Sequence, residues 1–208
     1  MVNESRWKQA QQSEIGYHVH HESGRDPFEH YKTVYTEKYF KYLDIDATKT
    51  HESILEIGPA TVAGCEFVDA KKKTIIEPLF TEEMLESHPN LVQHKNRIES
   101  NGVEIAATPA ENFDDYDSYE EVWLMNVLQH VMSPSKILEK CRSAKTVRFF
   151  EPINLPTDPA HPHTLTADLF IDSLFKNSTG DGWHKVYEGG STQGFHGATC
   201  YYGVWEKN

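Results

Sequence analysis

The sequence predicts an α/β protein. Its sheet is expected to be mostly parallel and seven-stranded, with helices on both faces and an antiparallel pair of strands at the C-terminal end. Three observations carry this. From Ser53 onward, short apolar runs alternate with helix-length amphipathic stretches, and such alternation builds βαβ units. The first apolar run ends in an acid and a turn of small residues, "SILEIGPATVAG". The last two apolar runs flank "GGSTQG", a separator suited to an antiparallel pair.

The N-terminal segment, 1–48, is read as a helical lid, and 49–208 as the α/β domain, the two forming one compact domain. "SRWKQAQQSEI" has helix formers and one apolar edge. "DPFEHYKTVYTEKYFKYLDI" sets Phe28, Tyr31, Tyr35, Tyr39 and Tyr42 at three- and four-residue spacing, a helical stripe. Asp26 and Pro27 give that helix a capping acceptor and then a residue with no N–H to leave unpaired. Core packing explains the stripe more simply than an aromatic ligand box. Strands follow at "SILEIG", "KKTIIEPL", "GVEIAATPAENF", Glu121–Met125, "KTVRFFEPI", "WHKVYEGG" and "GATCYYGVWEKN". Between them, "TEEMLESHPNLVQHKNRIESN" is helical with Thr81 as N-cap and an interruption at Pro89. "SPSKILEKCRSA" starts on Ser133 and Pro134, and "TLTADLFIDSLFKNS" is a further helix.

Composition narrows the partners. The formal net charge is -12, which would repel a phosphate polymer, so no nucleic acid is expected and small molecules are favoured. No apolar stretch approaches the roughly 18–20 residues needed to span a bilayer, so no membrane is expected either. The polar start, Met1–Glu14, lacks a signal-peptide core. The three cysteines, Cys65, Cys141 and Cys200, form no C-x-x-C pair. Both features point to a cytoplasmic protein with reduced thiols. The oligomeric state is not legible.

The loop after the first strand is the centre of the functional reading. Gly58 can adopt dihedrals closed to other residues and lets a ligand touch the main chain. Ala60 and Ala63 keep the turn narrow. A helix starting near Thr61 would aim its N–H groups at the same cleft. The next acid at a strand end, Glu77, could accept hydrogen bonds from two vicinal ribose hydroxyls. On these residues alone, the loop is either a nucleoside site on a Rossmann-like sheet or a tight strand-to-helix turn. Glu56, two residues before Gly58, suits a cofactor with a cationic or ammonium group better than a pyrophosphate. A nicotinamide enzyme would also use Glu77, but would leave Glu56 and "NVLQHV" without a role.

The run "ILEIGPA…TIIEPL…PAENF…EVWLMNVLQHVMSPSKIL" resembles the class I S-adenosylmethionine-dependent methyltransferases, the small "type 11" enzymes most closely. The family's acid-x-Gly-x-Gly-x-Gly motif reads Glu56-Ile57-Gly58-Pro59-Ala60-Thr61-Val62 here, with Ala60 and Val62 in place of the later glycines. Its "Asp-Pro-Leu" is Glu77-Pro78-Leu79, its "Ala-Glu" is Ala110-Glu111, and its "Asn-Val-Leu-x-His-Val" is Asn126 to Val131. The resemblance spans roughly Ser53 to Ile153. It implies S-adenosylmethionine as cofactor. Gly58, Pro59 and Ala60 would hold the methionine end with Glu56 close by. Glu77 and Pro78 would border the ribose, Ala110 and Glu111 the adenine, and Asn126 the sulfonium. The implied activity is methyl transfer to a small-molecule O- or N-acceptor. A scaffold that keeps the fold without turnover is the second reading, prompted by Ala60 and Val62.

An acceptor hydroxyl or amine calls for a general base, most often histidine. The chain has twelve histidines. His130 follows the fourth strand near the cleft. His161 and His163 sit in the Pro-rich loop after the fifth, which is where acceptor pockets of this family are often lined. These three are the candidate catalytic residues. "GYHVHHESGR" supplies Tyr17, His20 and Arg25 as candidate lid contacts. Its His18 and His20 would share one face of an extended chain. A third ligand would have to come from elsewhere, and no metal site is assigned.

Overall fold

The computed structural model describes residues 2–21, 27–175, 183–189 and 198–207. Helix α1 spans Glu4–His21. Helix α2, Pro27–Val34, runs through one π-helical turn at Tyr35–Tyr39 into a last helical turn, α3, Phe40–Tyr42. Then come β1 (Thr50–Ile57), β2 (Asp69–Ile76), α4 (Glu82–Ser87), α5 (Asn90–Ser100), β3 (Glu104–Ala106) and β4 (Glu121–Met125). They are followed by α6 (Pro134–Cys141), β5 (Thr146–Pro152), α7 (Ala167–Phe170), β6 (Trp183–Gly189) and β7 (Cys200–Glu206).

The strands form one seven-stranded sheet in the order β3-β2-β1-β4-β5-β7-β6. The neighbours from β3 to β5 pair in parallel, and β7 runs antiparallel to both β5 and β6. The expected α/β class and sheet are therefore present. The order reverses direction between β1 and β4, which opens a crevice beyond their carboxyl ends.

Alternation along each strand sends side chains to two cores. Leu55, Ile57, Val122, Leu124, Val147 and Phe149 pack with α6 and α7. Ile54, Ile75, Trp123, Met125 and Phe150 face the other way and meet the tyrosine helix. Tyr35 and Tyr39 are buried there, and Phe28, Tyr31 and Tyr42 pack against them. Tyr39 meets Phe150 edge-on at 5.0 Å between ring centroids. The stripe is core.

Three local expectations need correction. No α-helix follows β1: residues 58–68 hold only a 3₁₀ turn at Gly64–Phe67. The main-chain donors that a helix would have used are taken by side chains. Gly64 and Cys65 donate to Glu56, and Ala63 donates to Glu66. Second, Ser133 is the N-cap of α6 with Pro134 in its first turn, as expected, but its side chain makes no capping bond; its own N–H donates to Glu111 Oε1 at 2.8 Å. Third, α1 is helical through His21, so the extended-chain argument for His18 and His20 does not hold. Pro89 does separate two helices, α4 and α5, as its missing N–H requires.

Candidate functional site

A cavity of about 610 Å³ opens at the switch point between β1 and β4, within the range of roughly 300–1,000 Å³ usual for small-molecule sites. Strand ends form its floor: Gly58–Ala60 after β1, Glu77–Leu79 after β2, Pro109–Glu111 after β3 and Asn126–Val127 after β4. Trp7, Gln11 and Glu14 of α1 and His30, Tyr31 and Tyr35 of the tyrosine helix cover it. His130, Ala160 and His161 close one side.

The small residues of the first loop have a local reason. Gly58 sits at φ +61° and donates its N–H to Ile76 O at 2.9 Å. A Cβ there would lie 2.2 Å from Val127 Cγ2, so the β1 and β4 loops touch where the glycine leaves a notch. Ala60 also lies in the left-handed region, at φ +56°, where an L-residue costs about 1–2 kcal/mol. Its N–H donates to Glu77 Oε2 at 2.7 Å. Val62 is turned into the core, where its carbonyl accepts from the Tyr35 hydroxyl at 3.1 Å. Neither residue fills the cavity.

Carboxylates fix the strand-end loops from several sides. Glu77 is buried, and its second oxygen, Oε1, accepts from Leu79 N–H at 3.0 Å. Glu56 does not line the cavity. It lies beneath the first loop and accepts from Gly64 and Cys65 at 3.0 and 2.8 Å. Burial pushes its pKa up to about 7 despite those donors. Glu111 reaches the cavity wall, with its carboxylate tied to Ser133 N–H. Asn126, at φ +61°, stands on the floor, and its Oδ1 accepts from Gln129 Nε2 at 3.1 Å.

The sequence reading missed Glu151. It is fully buried at the end of β5 and accepts from Val127 N–H at 3.0 and 3.1 Å and from Leu128 N–H at 3.2 Å. It thereby holds the loop that carries Asn126. Burial pushes its pKa up to about 8, with the backbone donors pulling the other way. The signal was an acid closing an apolar strand, "RFFEP", the same pattern that drew attention to Glu56 and Glu77.

The three candidate histidines are separated by the geometry. His130 and His161 face the cavity with ring centroids 4.7 Å apart. His130 Nδ1 is 3.1 Å from Ala160 O and 3.2 Å from Glu14 Oε1. His161 Nδ1 is 2.7 Å from Asp158 Oδ2, and Asp158 Oδ1 accepts the N–H groups of Ala160 and His161. His163 does not line the cavity. It is half-buried, and its Nε2 lies 2.8 Å from Val131 O. Burial holds its imidazole below the ordinary value. Of the lid candidates, Tyr17 and His20 lie on α1 with side chains outside the described residues, and Arg25 is itself outside them. The roof contacts that are described come from elsewhere. Arg6 donates to the carbonyls of Asp158 and Pro159, and Glu14 meets His130. Among the described residues, ligand-type atoms of Glu14, His130 and His161 all lie within 4.8 Å of one another.

No protein-family model and no curated protein matches the sequence. Solved structures do. The N-methyltransferase NodS from Bradyrhizobium japonicum WM9, in complex with S-adenosyl-L-homocysteine, superposes with a TM-score of 0.62 at 14% identity, over 97% of this chain and 98% of NodS. A second NodS crystal structure gives 0.54 at 15% identity, over 89% and 98%. The PH0226 protein from Pyrococcus horikoshii OT3 gives 0.57 at 12% identity, over 93% and 99%. The fold is the class I methyltransferase fold. Within it, the switch-point cavity of this chain is built by the strand ends that carry Gly58, Glu77, Ala110 and Asn126. No helix among the described residues is long and apolar enough to cross a membrane.

Proposed function

We propose that the protein is an S-adenosylmethionine-dependent methyltransferase acting on an oxygen or nitrogen of a small-molecule acceptor. The observation that carries this reading is Glu77. It is a buried carboxylate at the end of β2 that braces the Gly58–Ala60 loop and borders the switch-point cavity, in a fold whose neighbour NodS was solved with S-adenosyl-L-homocysteine.

The residues fit such a ligand. Glu77 borders the cavity where two ribose hydroxyls would lie. The Gly58–Ala60 main chain would meet the amino-acid end, with Glu56 acting beneath the loop. Pro78 and Pro109–Ala110 offer apolar walls to a base. The cofactor would supply a methyl group on sulfonium, already activated for displacement. The chain's task is then alignment of the acceptor and removal of its proton. Asp158 Oδ2 accepts a hydrogen bond from His161 Nδ1–H, which leaves Nε2 to act as base toward the cavity. His130 lies beside it and is held by Ala160 and Glu14. His163 acts at one remove by anchoring the loop through Val131.

A scaffold without turnover was suggested by Ala60 and Val62. Ala60 adopts the glycine-like conformation and Val62 is buried away from the cavity, so the space stays open and turnover is the better supported reading. The three cysteines are buried and form no disulfide, in keeping with a cytoplasmic location.

Calorimetry with S-adenosyl-L-homocysteine tests the site. One molecule should bind per chain, and Glu77→Ala should weaken binding by about 1–3 kcal/mol, the loss usual for charge-assisted hydrogen bonds. Unchanged affinity in that variant, or no heat with the wild type, would overturn the placement.

A further inference from the structure

We propose that Glu14, His130 and His161 form a site for a borderline divalent cation, Zn²⁺ or a first-row ion of similar preference, at the acceptor side of the cavity. The binding stands on its own geometry. The catalytic role argued below rests on the methyltransferase reading.

Three side chains from three separate parts of the chain converge here: α1, the turn after β4 and the loop after β5. Their ligand-type atoms lie within 4.8 Å of one another. A tetrahedral ion with bonds of ~2.1 Å holds its ligands ~3.4 Å apart, so small side-chain rotations close the set. Two imidazoles and one carboxylate are the donor types that such ions prefer, and a three-ligand set leaves a position open for a substrate atom. Glu14 contributes the negative charge, and neutral histidines contribute the nitrogens.

The outer contacts are those of a supported site. A metal-bound histidine usually gives its other N–H to a carboxylate or a carbonyl, which fixes the ring and its tautomer. Asp158 Oδ2 does this for His161 Nδ1 at 2.7 Å. For His130, Ala160 O lies 3.1 Å from Nδ1, so Nε2, which lies 3.3 Å from Gln129 Nε2, is the nitrogen that must turn to the ion. Arg6 ties α1 to the backbone of the loop that carries His161, donating to Pro159 O at 2.8 Å. That contact keeps Glu14 in register with the two rings. All three ligands face the cavity, so the open position points at bound acceptor.

A cation here would bind the acceptor's hydroxyl or carboxylate oxygen. It lowers the pKa of a coordinated hydroxyl and holds the resulting oxyanion in place for displacement at the methyl carbon. The proton leaves to solvent, and no oxidant or reductant is needed. His161 then serves as ligand in place of base. The acceptor class follows: a small molecule with an oxygen able to coordinate beside the atom that is methylated.

The test uses protein stripped with a chelator. Co²⁺ is titrated in and followed by visible absorption, and Zn²⁺ by calorimetry. Wild type is expected to take up one ion with the intense absorption of a four- or five-coordinate site. Glu14→Gln and His161→Gln should each weaken uptake at least about 100-fold, and Asp158→Asn about 10–100-fold. Melting temperature and S-adenosyl-L-homocysteine binding report whether each variant is folded; if His161→Gln is not, Glu14→Gln decides. A double variant, His18→Gln/His21→Gln, should leave uptake unchanged. The proposal is overturned if wild type shows no such spectrum, or if both ligand variants bind as tightly as wild type. It is equally overturned if only the His18/His21 variant loses the ion. Co²⁺ uptake with no S-adenosyl-L-homocysteine binding would retain the cation site and end the methyltransferase reading; the reverse result would do the opposite.

Discussion

Replacing Glu151 with glutamine should make the protein's stability less sensitive to pH between about 5 and 8. The carboxyl is buried and titrates at about 8 in the folded chain, against an ordinary value of 4.5. Between those values the folded state keeps the proton and the unfolded state has lost it. The slope of unfolding free energy with pH is then negative, about -1.4 kcal/mol per pH unit from this one group. Its stabilising contribution is complete below about 4.5 and is lost as pH rises through 8, a span worth on the order of 5 kcal/mol. Glutamine carries no charge at any pH in the range. Its carbonyl can take the place of Oε2, which already accepts from both Val127 and Leu128. The difference in stability between variant and wild type should therefore be nearly constant below pH 4.5 and move steadily in the variant's favour toward pH 8. Urea unfolding of both proteins at matched pH values measures it, and the subtraction removes the histidines and the other acids. A difference that stays flat from pH 5 to 8 would refute the argument, because it would mean that Glu151 is ionised in the fold or already paired with a cation.

Other perturbations follow from the same contacts. Glu56, pushed up to about 7 by burial, should act in the same direction, so Glu56→Gln should remove a second, smaller part of the slope, read in the same titration. Gly58→Ala adds a methyl 2.2 Å from Val127 Cγ2 at a positive φ. It should cost about 1–3 kcal/mol in urea unfolding and also loosen ligand binding, since the loop must move. Arg148 donates to Glu121 Oε2 at 2.7 Å. Burial alone would raise Glu121, but Arg148 and the other donors hold it below its ordinary value. Arg148→Met takes the guanidinium from that buried carboxylate, leaving Trp123 Nε1 and His51 Nδ1 against it, and should cost about 3 kcal/mol at pH 7. Much of the loss should be recovered as pH falls and Glu121 protonates, and calorimetric melting at two pH values would check this.

The sheet was legible because its strands are short apolar runs set off by turn residues, the pattern of strands buried on both faces. The floor of the cavity was legible for a related reason: small residues and acids at strand ends have few structural uses. The roof was not. Glu14 and Trp7 lie on a helix whose composition says only that it has one apolar edge, and their place over the cavity opposite His161 depends on tertiary placement across the chain. Asp158 was hidden among prolines, where an acid reads as a loop residue. The missing helix after β1 escaped because its competitor is non-local: Glu56, eight residues before Gly64, satisfies donors that local propensity would have given to a helix. His163 and His161 share one sequence context and are told apart only by which of them meets the Val131 carbonyl.

The contact between Gly58 and Val127 works as a tooth seated in a notch. It joins the two halves of the sheet where their winding reverses; both residues line the cavity, and Val127 stands three positions before His130. A molecule that shifts the first loop must therefore push on the second, and the second leads straight to the imidazoles. The two loops therefore cannot be displaced toward each other: the notch at Gly58 is already filled by Val127.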